Sequence, residues 1–327
     1  MSGCCKNASS PRFATYQPPG ILDMEHFGIV PRRKEKVVFV MGATGSGKSK
    51  LSIDLATRFN AEIVNSDKMQ VYSGLDVVTN KVTDEERRGV PHHLLGVLPP
   101  DSDFTIPDFR HMASFTVQSI ALRGKLPIIA GGSNTYIEAL VDGNDMAFRS
   151  KYDCCFLWVD VSLPVLDSFV SHRVDQMVKA GLVEEVRGMF DPKADYTRGI
   201  RRSIGVPEMD RYLRAEEAGE TDEEALSELL DSAIEEIKAN TIHLARCQLQ
   251  KIRRLRTLFG WDIHRIDATD VFRIRGTAGA EEAWEKLVVG PAGATVRKFL
   301  YETAAPAPVL AAAKPAAVVP IAATVGR

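Results

Sequence analysis

The residues Gly42-Ala43-Thr44-Gly45-Ser46-Gly47-Lys48-Ser49 carry the spacing G-x-x-x-x-G-K-[ST], which suits one task above others: holding an anion. Three glycines let the backbone curl so that successive N–H groups converge on a phosphate. A helix starting at the end of the loop adds the positive end of its dipole. Lys48 supplies a compact positive charge, and the Ser49 hydroxyl can hold a Mg²⁺ ion that bridges phosphate oxygens. The loop therefore implies a bound diphosphate or polyphosphate. It does not say which one, or what is done with it.

A second cluster, Asn65-Ser66-Asp67-Lys68-Met69-Gln70-Val71-Tyr72, follows an apolar run. Asp67 can serve as a general base, contact a metal, or simply cap a helix N-terminus. His92 and His93 are adjacent, so on a strand they point to opposite sides and do not readily share one metal. A structural or cavity-lining role suits them better. Asp160 ends a run of four apolar residues, like the metal-binding aspartate of phosphate-loop proteins, or like an ordinary strand-end carboxylate. Gly199 to Gly205 and Arg246 to Arg256 are rich in arginine, whose planar fork pairs with diphosphate oxygens. Part of the second stretch is a solvated charged face.

These groups need elements to position them. Val37–Met41 reads as a buried strand entering the loop, and Lys48–Arg58 as a helix leaving it with Leu51, Leu55 and Phe59 on one side. Further short apolar runs lie at 61–65, 127–130 and 156–160, and 262–266 is a candidate fifth strand. Short apolar strands separated by helices predict an α/β fold: a P-loop NTPase-like parallel sheet with helices on both faces and a mostly helical lid subdomain. Ligands in such sheets sit at the carboxyl ends of the strands. The expected division is a disordered tail or targeting segment at 1–35, a P-loop core at 36–160, a helical lid at 161–258, a return to the core with a terminal helix at 259–302, and an Ala/Pro-rich disordered tail at 303–327.

The 327 residues carry 41 Lys plus Arg against 43 Asp plus Glu, a net charge of −2. Bulk charge therefore gives no reason to expect nucleic-acid binding. No apolar stretch is long enough to span a membrane. The five cysteines fall as two adjacent pairs and a single residue, with no metal-ligand spacing, which reads as reduced thiols.

Seven motifs in order carry a resemblance: GATGSGKS at 42–49, NSDKMQVYSGLDVVTNK at 65–81, GVPHHLLG at 89–96, FTIPDF at 104–109, PIIAGGSNTYIEAL at 127–140, GIRRSIGVPE at 199–208 and ANTIHLARCQLQ at 239–250. From Val37 to Leu255 the chain resembles the adenine N6-prenyltransferases, which comprise the tRNA dimethylallyltransferases and the plant adenylate isopentenyltransferases of cytokinin synthesis. It is more similar to the plant adenylate branch. It has Asn65-Ser66-Asp67-Lys68 where the tRNA enzymes usually have Ser-Ala-Asp-Ser, and it lacks a Cys/His zinc-finger pattern after residue 260.

The resemblance implies that the loop (Gly42, Ala43, Thr44, Gly45, Ser46, Gly47, Lys48, Ser49) cradles the diphosphate of dimethylallyl diphosphate, with Mg²⁺ on Ser49. An adenine nucleotide would be the acceptor, with ADP or ATP favoured over AMP. Asp67 would be the base, the Thr44 hydroxyl would reach the bridging oxygen, and Arg202 would clamp the diphosphate from the helical side. Ser133 stands where the family often has a threonine in the site. Asp160 is not a catalytic position of the family. The compartment implied is the plastid, with the cytoplasm as the alternative. Two other activities use the same loop: phosphoryl transfer by a nucleotide or metabolite kinase, and tRNA modification with the basic stretch at 246–256 as an RNA footprint.

Overall fold

Strands that are apolar on both sides can be buried only where helices cover both faces of their sheet. The computed structural model, which describes residues 34–143 and 146–302, has that arrangement. β1 (Glu35–Gly42) runs into the phosphate loop, α1 (Lys48–Phe59) leaves it, and β2 (Ala61–Asn65) follows. Next come α2 (Asp84–Arg87), β3 (His92–His93), α3 (Ile106–Leu122), β4 (Leu126–Ala130), α4 (Asn134–Asp142), α5 (Ala147–Lys151) and β5 (Tyr152–Asp160). A helical stretch carries α6 (Leu163–Lys179), α7 (Leu182–Met189), α8 (Asp210–Glu217) and α9 (Glu223–Thr257). The chain then returns to the sheet as β6 (Ile263–Asp267), followed by α10 (Thr269–Arg273), α11 (Ala280–Trp284) and α12 (Gly290–Tyr301). The tail expected at 303–327 lies outside the described residues. So does the one expected at 1–35, except for its last two residues; Glu35 already belongs to β1.

The six strands are all parallel, in the order β3-β2-β4-β1-β5-β6. β1 is central, and Val37 to Met41 are wholly buried. β2 and β3 continue to one side of it, while β5 and β6 lie on the other, so the winding reverses at β1 and opens a crevice at the carboxyl ends. The sequence carries no periodic signal for β3, which is two residues long and owes its place to pairing with Ile63 and Val64.

α9 is the longest element. Its 35 residues extend about 50 Å at the usual helical rise. The Asp222 side chain caps it by accepting from the Glu224 and Ala225 N–H groups. Acidic residues fill its first turn and Arg254 and Arg256 its last, all favourable to the helix dipole. A buried stripe at Ile237, Thr241, Ala245, Gln248, Leu249, Ile252 and Leu255 faces the protein. It lays α9 across α8 and α6 and then against α4 and β1. Among the described residues no helix is long and apolar enough to cross a membrane.

Candidate active site

The phosphate loop takes its shape from two left-handed glycines, Gly45 at φ 79° and Gly47 at φ 91°, a conformation that costs a side chain about 1 kcal/mol or more. Gly42 is needed for a different reason: a Cβ there would stand 2.7 Å from the Val159 carbonyl oxygen, so the loop is pressed onto the end of β5. Trp284 of α11 packs against Gly47 and donates its indole N–H to Asp54 at 2.8 Å. Lys48 Nζ donates to the Ala43 carbonyl at 2.6 Å. Burial pushes the Lys48 ammonium down to about 8; the nearby Asp67 carboxylate opposes this and the Arg173 guanidinium adds to it.

A cleft of about 550 Å³ opens over the loop at the carboxyl edge of the sheet. Thr44, Lys48, Ser49, Asp67 and Arg202 all line it, so the loop, the acidic turn and the arginine turn meet in space as expected. Asp67 is held by its neighbour. Asn65 Oδ1 accepts the Asp67 N–H at 3.0 Å, and Asn65 Nδ2 donates to the carbonyls of Asp67 and Leu94. The two carboxylate oxygens of Asp67 have different surroundings. Oδ1 accepts the Met69 N–H at 3.1 Å and secures the short 3₁₀ turn Met69–Val71. Oδ2 lies on the Gly132 side, 3.3 Å from where a Cβ on that glycine would sit.

Ser133 has a different place from the one the resemblance implies. Its hydroxyl accepts the Lys68 N–H at 2.9 Å and it does not line the cleft, so it supports the Asp67 turn from behind. Asp160 is also elsewhere. It is buried, with Oδ2 taking the Arg265 Nε–H at 2.6 Å, and is an ion-paired strand end rather than a metal ligand. His93 bonds to Glu62 at 2.7 Å while His92 lines the cleft, its pKa lowered by burial, so the two rings do diverge.

Arg202 ends the 3₁₀ turn Gly199–Arg202, which is latched to the loop at 100–103. Ile200 N–H donates to the Pro100 carbonyl at 2.8 Å, and Arg198 pairs with Asp103 at 2.5 Å. Arg201 is spent on Asp101 and the Met189 carbonyl. Of these arginines, only Arg202 lines the cleft. Burial lowers the pKa of the neighbouring Lys68, and the charge of Arg202 lowers it further.

Two residues not singled out from the sequence complete the site. Arg173 of α6 lines the cleft and donates from Nη2 to the Thr44 hydroxyl oxygen at 2.9 Å. Burial brings it down to about 10, with the Asp67 carboxylate opposing, so it stays cationic at neutral pH. Since the Thr44 oxygen accepts from Arg173, its own hydrogen is free to be donated into the cleft. The sequence signal for Arg173 is an arginine on the helical face it shares with Phe169, Gln176 and Met177, all of which line the cleft. Gln248 of α9 is buried, accepts the Thr44 N–H at 2.7 Å and donates to the Gly132 carbonyl at 3.0 Å.

Two of the five basic residues between 246 and 256 are ion-paired within the protein. Arg246 pairs with Asp167 at 2.6 Å, Arg254 with Glu138 at 2.7 Å, and Lys251 donates to Thr135. Cys154, Cys155 and Cys247 are free thiols. Among the described residues no group of three or more His, Cys, Asp or Glu could hold a metal. The residues present do fit Mg²⁺ brought in by a diphosphate. That ion keeps several waters and needs few protein ligands, and Ser49 faces the cleft beside Lys48.

Comparison with known proteins agrees with this geometry. The IPP transferase family matches residues 70–151 and 144–255. The chain is 55% identical over 296 residues to the chloroplastic adenylate isopentenyltransferase 3 of Arabidopsis thaliana, covering 90% of this chain and 86% of that one. It is 61% identical over 272 residues to the chloroplastic adenylate isopentenyltransferase 5 of the same plant, covering 82% and 81%. To the mitochondrial adenylate isopentenyltransferase 7 it is 57% identical over 267 residues, covering 81% and 80%. A solved eukaryotic dimethylallyltransferase acting on tRNA shares the fold with a TM-score of 0.67 at 25% identity, over 81% of this chain and 79% of that one. With the phosphate loop, the acidic turn and the arginine turn gathered in one cleft, the chain belongs to the IPP transferase family, in its plant adenylate isopentenyltransferase branch.

Proposed function

We propose that the chain transfers the dimethylallyl group of dimethylallyl diphosphate to the N6 amine of an adenine nucleotide and releases pyrophosphate, the first step of cytokinin biosynthesis. The observation that carries this reading is that one cleft is lined both by the anion-holding loop and by Asp67. The adenine amine is a weak nucleophile because its lone pair is delocalised into the ring. A carboxylate in hydrogen-bond reach orients it and takes its proton as the new C–N bond forms. Asp67, anchored through one oxygen, has the other available for that work.

On the donor side the allylic C–O bond breaks and its electron pair stays with the diphosphate. The loop N–H groups, Lys48, Arg173 and Arg202 surround the place where that charge grows. The Thr44 hydroxyl, with its oxygen occupied by Arg173, donates toward the leaving oxygen. Mg²⁺ held by Ser49 and the diphosphate would supply further neutralisation of the leaving group. The acceptor is a free nucleotide rather than tRNA. What supports this is the similarity to adenylate isopentenyltransferases together with the near-zero net charge; on α9, Arg246 and Arg254 are already ion-paired within the protein. ADP and ATP are the favoured acceptors. The relatives named chloroplastic and mitochondrial support an organellar compartment, and we take it to be the plastid.

The test offers the protein labelled dimethylallyl diphosphate together with AMP, ADP, ATP and an unmodified tRNA anticodon stem. Label is expected in the nucleotides with stoichiometric pyrophosphate. Label in the RNA, or phosphate transfer without prenylation, would reject the reading. In the same assay Asp67→Asn should lower turnover by about 10²–10⁴-fold, the usual worth of a general base, with donor binding retained.

A further inference from the structure

The donor loop and the acidic turn come from different strands, β1 and β2, and β4 pairs with both and lies between them. Beyond the strand ends, a set of side-chain and main-chain contacts joins the two segments. The Gln248 side-chain oxygen accepts the Thr44 N–H at 2.7 Å and its nitrogen donates to the Gly132 carbonyl at 3.0 Å. Gly132 in turn lies against Asp67: a Cβ built there would meet the Gln248 nitrogen on one side and stand 3.3 Å from Asp67 Oδ2 on the other. Gly131 presses equally closely on the main chain of the acidic turn, with a Cβ position 2.6 Å from the Asp67 nitrogen. Ser133 completes the join, its N–H donating to the Ser66 carbonyl at 3.2 Å and its hydroxyl accepting the Lys68 N–H. A path of hydrogen bonds thus runs from Thr44 through Gln248 to Gly132, which lies beside Asp67.

We infer that Gln248 is a positioning residue: it sets the distance between the leaving diphosphate, held at Thr44, and the carboxylate that receives the amine proton. This rests on the prenyl-transfer reading above. The chemistry of the side chain suits the task. One acceptor and one donor are needed at once, in a buried site (Gln248 is 7% exposed), beside a loop that binds an anion. Glutamate would lose the donor and add a repelling charge. Asparagine is one methylene too short to reach both partners. The helix that carries Gln248 is itself fixed, by Arg246 on Asp167, by Arg254 on Glu138 and by the Asn134 side chain donating to the Gln248 carbonyl at 3.2 Å.

A residue that sets spacing acts on turnover rather than on the binding of either substrate alone. Gln248→Met keeps the length of the side chain and removes both hydrogen bonds. Steady-state kinetics with dimethylallyl diphosphate and ADP, together with the donor Kd by equilibrium dialysis, read the effect. The expected result is kcat lower by about 100-fold, the scale of a 1 Å misplacement, with donor Kd and KM for ADP within about threefold of wild type. Placed on Asp67→Asn, the same substitution should cost less than about threefold, because the group whose distance it sets no longer takes a proton. Unchanged kcat, a donor affinity that falls in step with the rate, or a full additive loss in the Asp67→Asn background would each overturn the inference. If the methionine variant does not fold, Gln248→Asn, which keeps the amide but not the reach, takes its place with the same expected and overturning results. A wild-type chain that prenylates no nucleotide defeats the transfer reading itself, and the inference with it.

Discussion

Lys48 sits between two demands. The diphosphate needs its charge, while burial pushes its pKa down from 10.5 to about 8. Without donor, this lysine costs the folded protein stability below pH 8. The cost fades as pH rises from 8 toward the unfolded value of 10.5, because there the unfolded chain binds the extra proton. Donor binding should follow the opposite course, since the anion stabilises the charged form. Between pH 7 and pH 9 donor affinity should weaken about tenfold, in line with loss of the protonated fraction, and calorimetry in buffers of different ionisation enthalpy should show proton uptake on binding. Lys48→Arg, charged throughout, should flatten the profile. Equal pH dependence in the two proteins would show that Lys48 does not titrate in the site.

At the scale of elements, the turn Gly199–Arg202 shows how an arginine is presented. Gly199 has φ 56°, and a Cβ there would overlap the Pro100 carbonyl oxygen. The turn therefore docks only with glycine at its start, and Arg198 and Arg201 then fasten it to Asp103 and Asp101. Gly199→Ala is expected to destabilise the protein by about 1–3 kcal/mol, from the left-handed strain and the lost contact. Through the displaced Arg202 it should also raise the donor Kd about tenfold, the worth of one charge-assisted contact. Arg202→Ala should match the loss of affinity without the loss of stability. A folded Gly199→Ala protein with wild-type donor affinity would show that the latch does not position Arg202. By contrast, the Arg198–Asp103 pair at the latch is half-exposed and contributes little by itself.

For the molecule as a whole, 41 basic against 43 acidic residues give a net charge of −2 and no general attraction for a polyanion, while Lys48, Arg173 and Arg202 are gathered in the cleft. The cleft forms where the winding reverses at β1, and the long α9 reaches from α8 to α4 across its back. Compartment also belongs to this scale. The full-length chain carrying a fluorescent protein at its carboxyl end should appear in plastids of leaf cells. A diffuse cytosolic signal, or one in mitochondria, would overturn that assignment.

Much of this protein follows from local chemistry. Strands at Val37–Met41 and Leu126–Ala130 announce themselves because burial on both faces favours apolar runs. The phosphate loop does so because its glycines and lysine act on one ligand within eight residues. Asp67 and Arg202 are legible through the motifs around them, and the cleft brings them together. Other roles depend on partners remote in sequence. Ser133 holds the Asp67 turn, Asp160 is spent on Arg265, and Arg254 and Arg246 of α9 are paired with α4 and α6. Arg173 and Gln248 meet Thr44 from positions 129 and 204 residues away. Residue type and spacing determined an anion-holding loop at Gly42–Ser49 with a strand before it and a helix after it. Which polar side chains remained free to act was decided only by tertiary packing, since a hydrogen-bonding group is available for chemistry only if the fold has not already given it a partner.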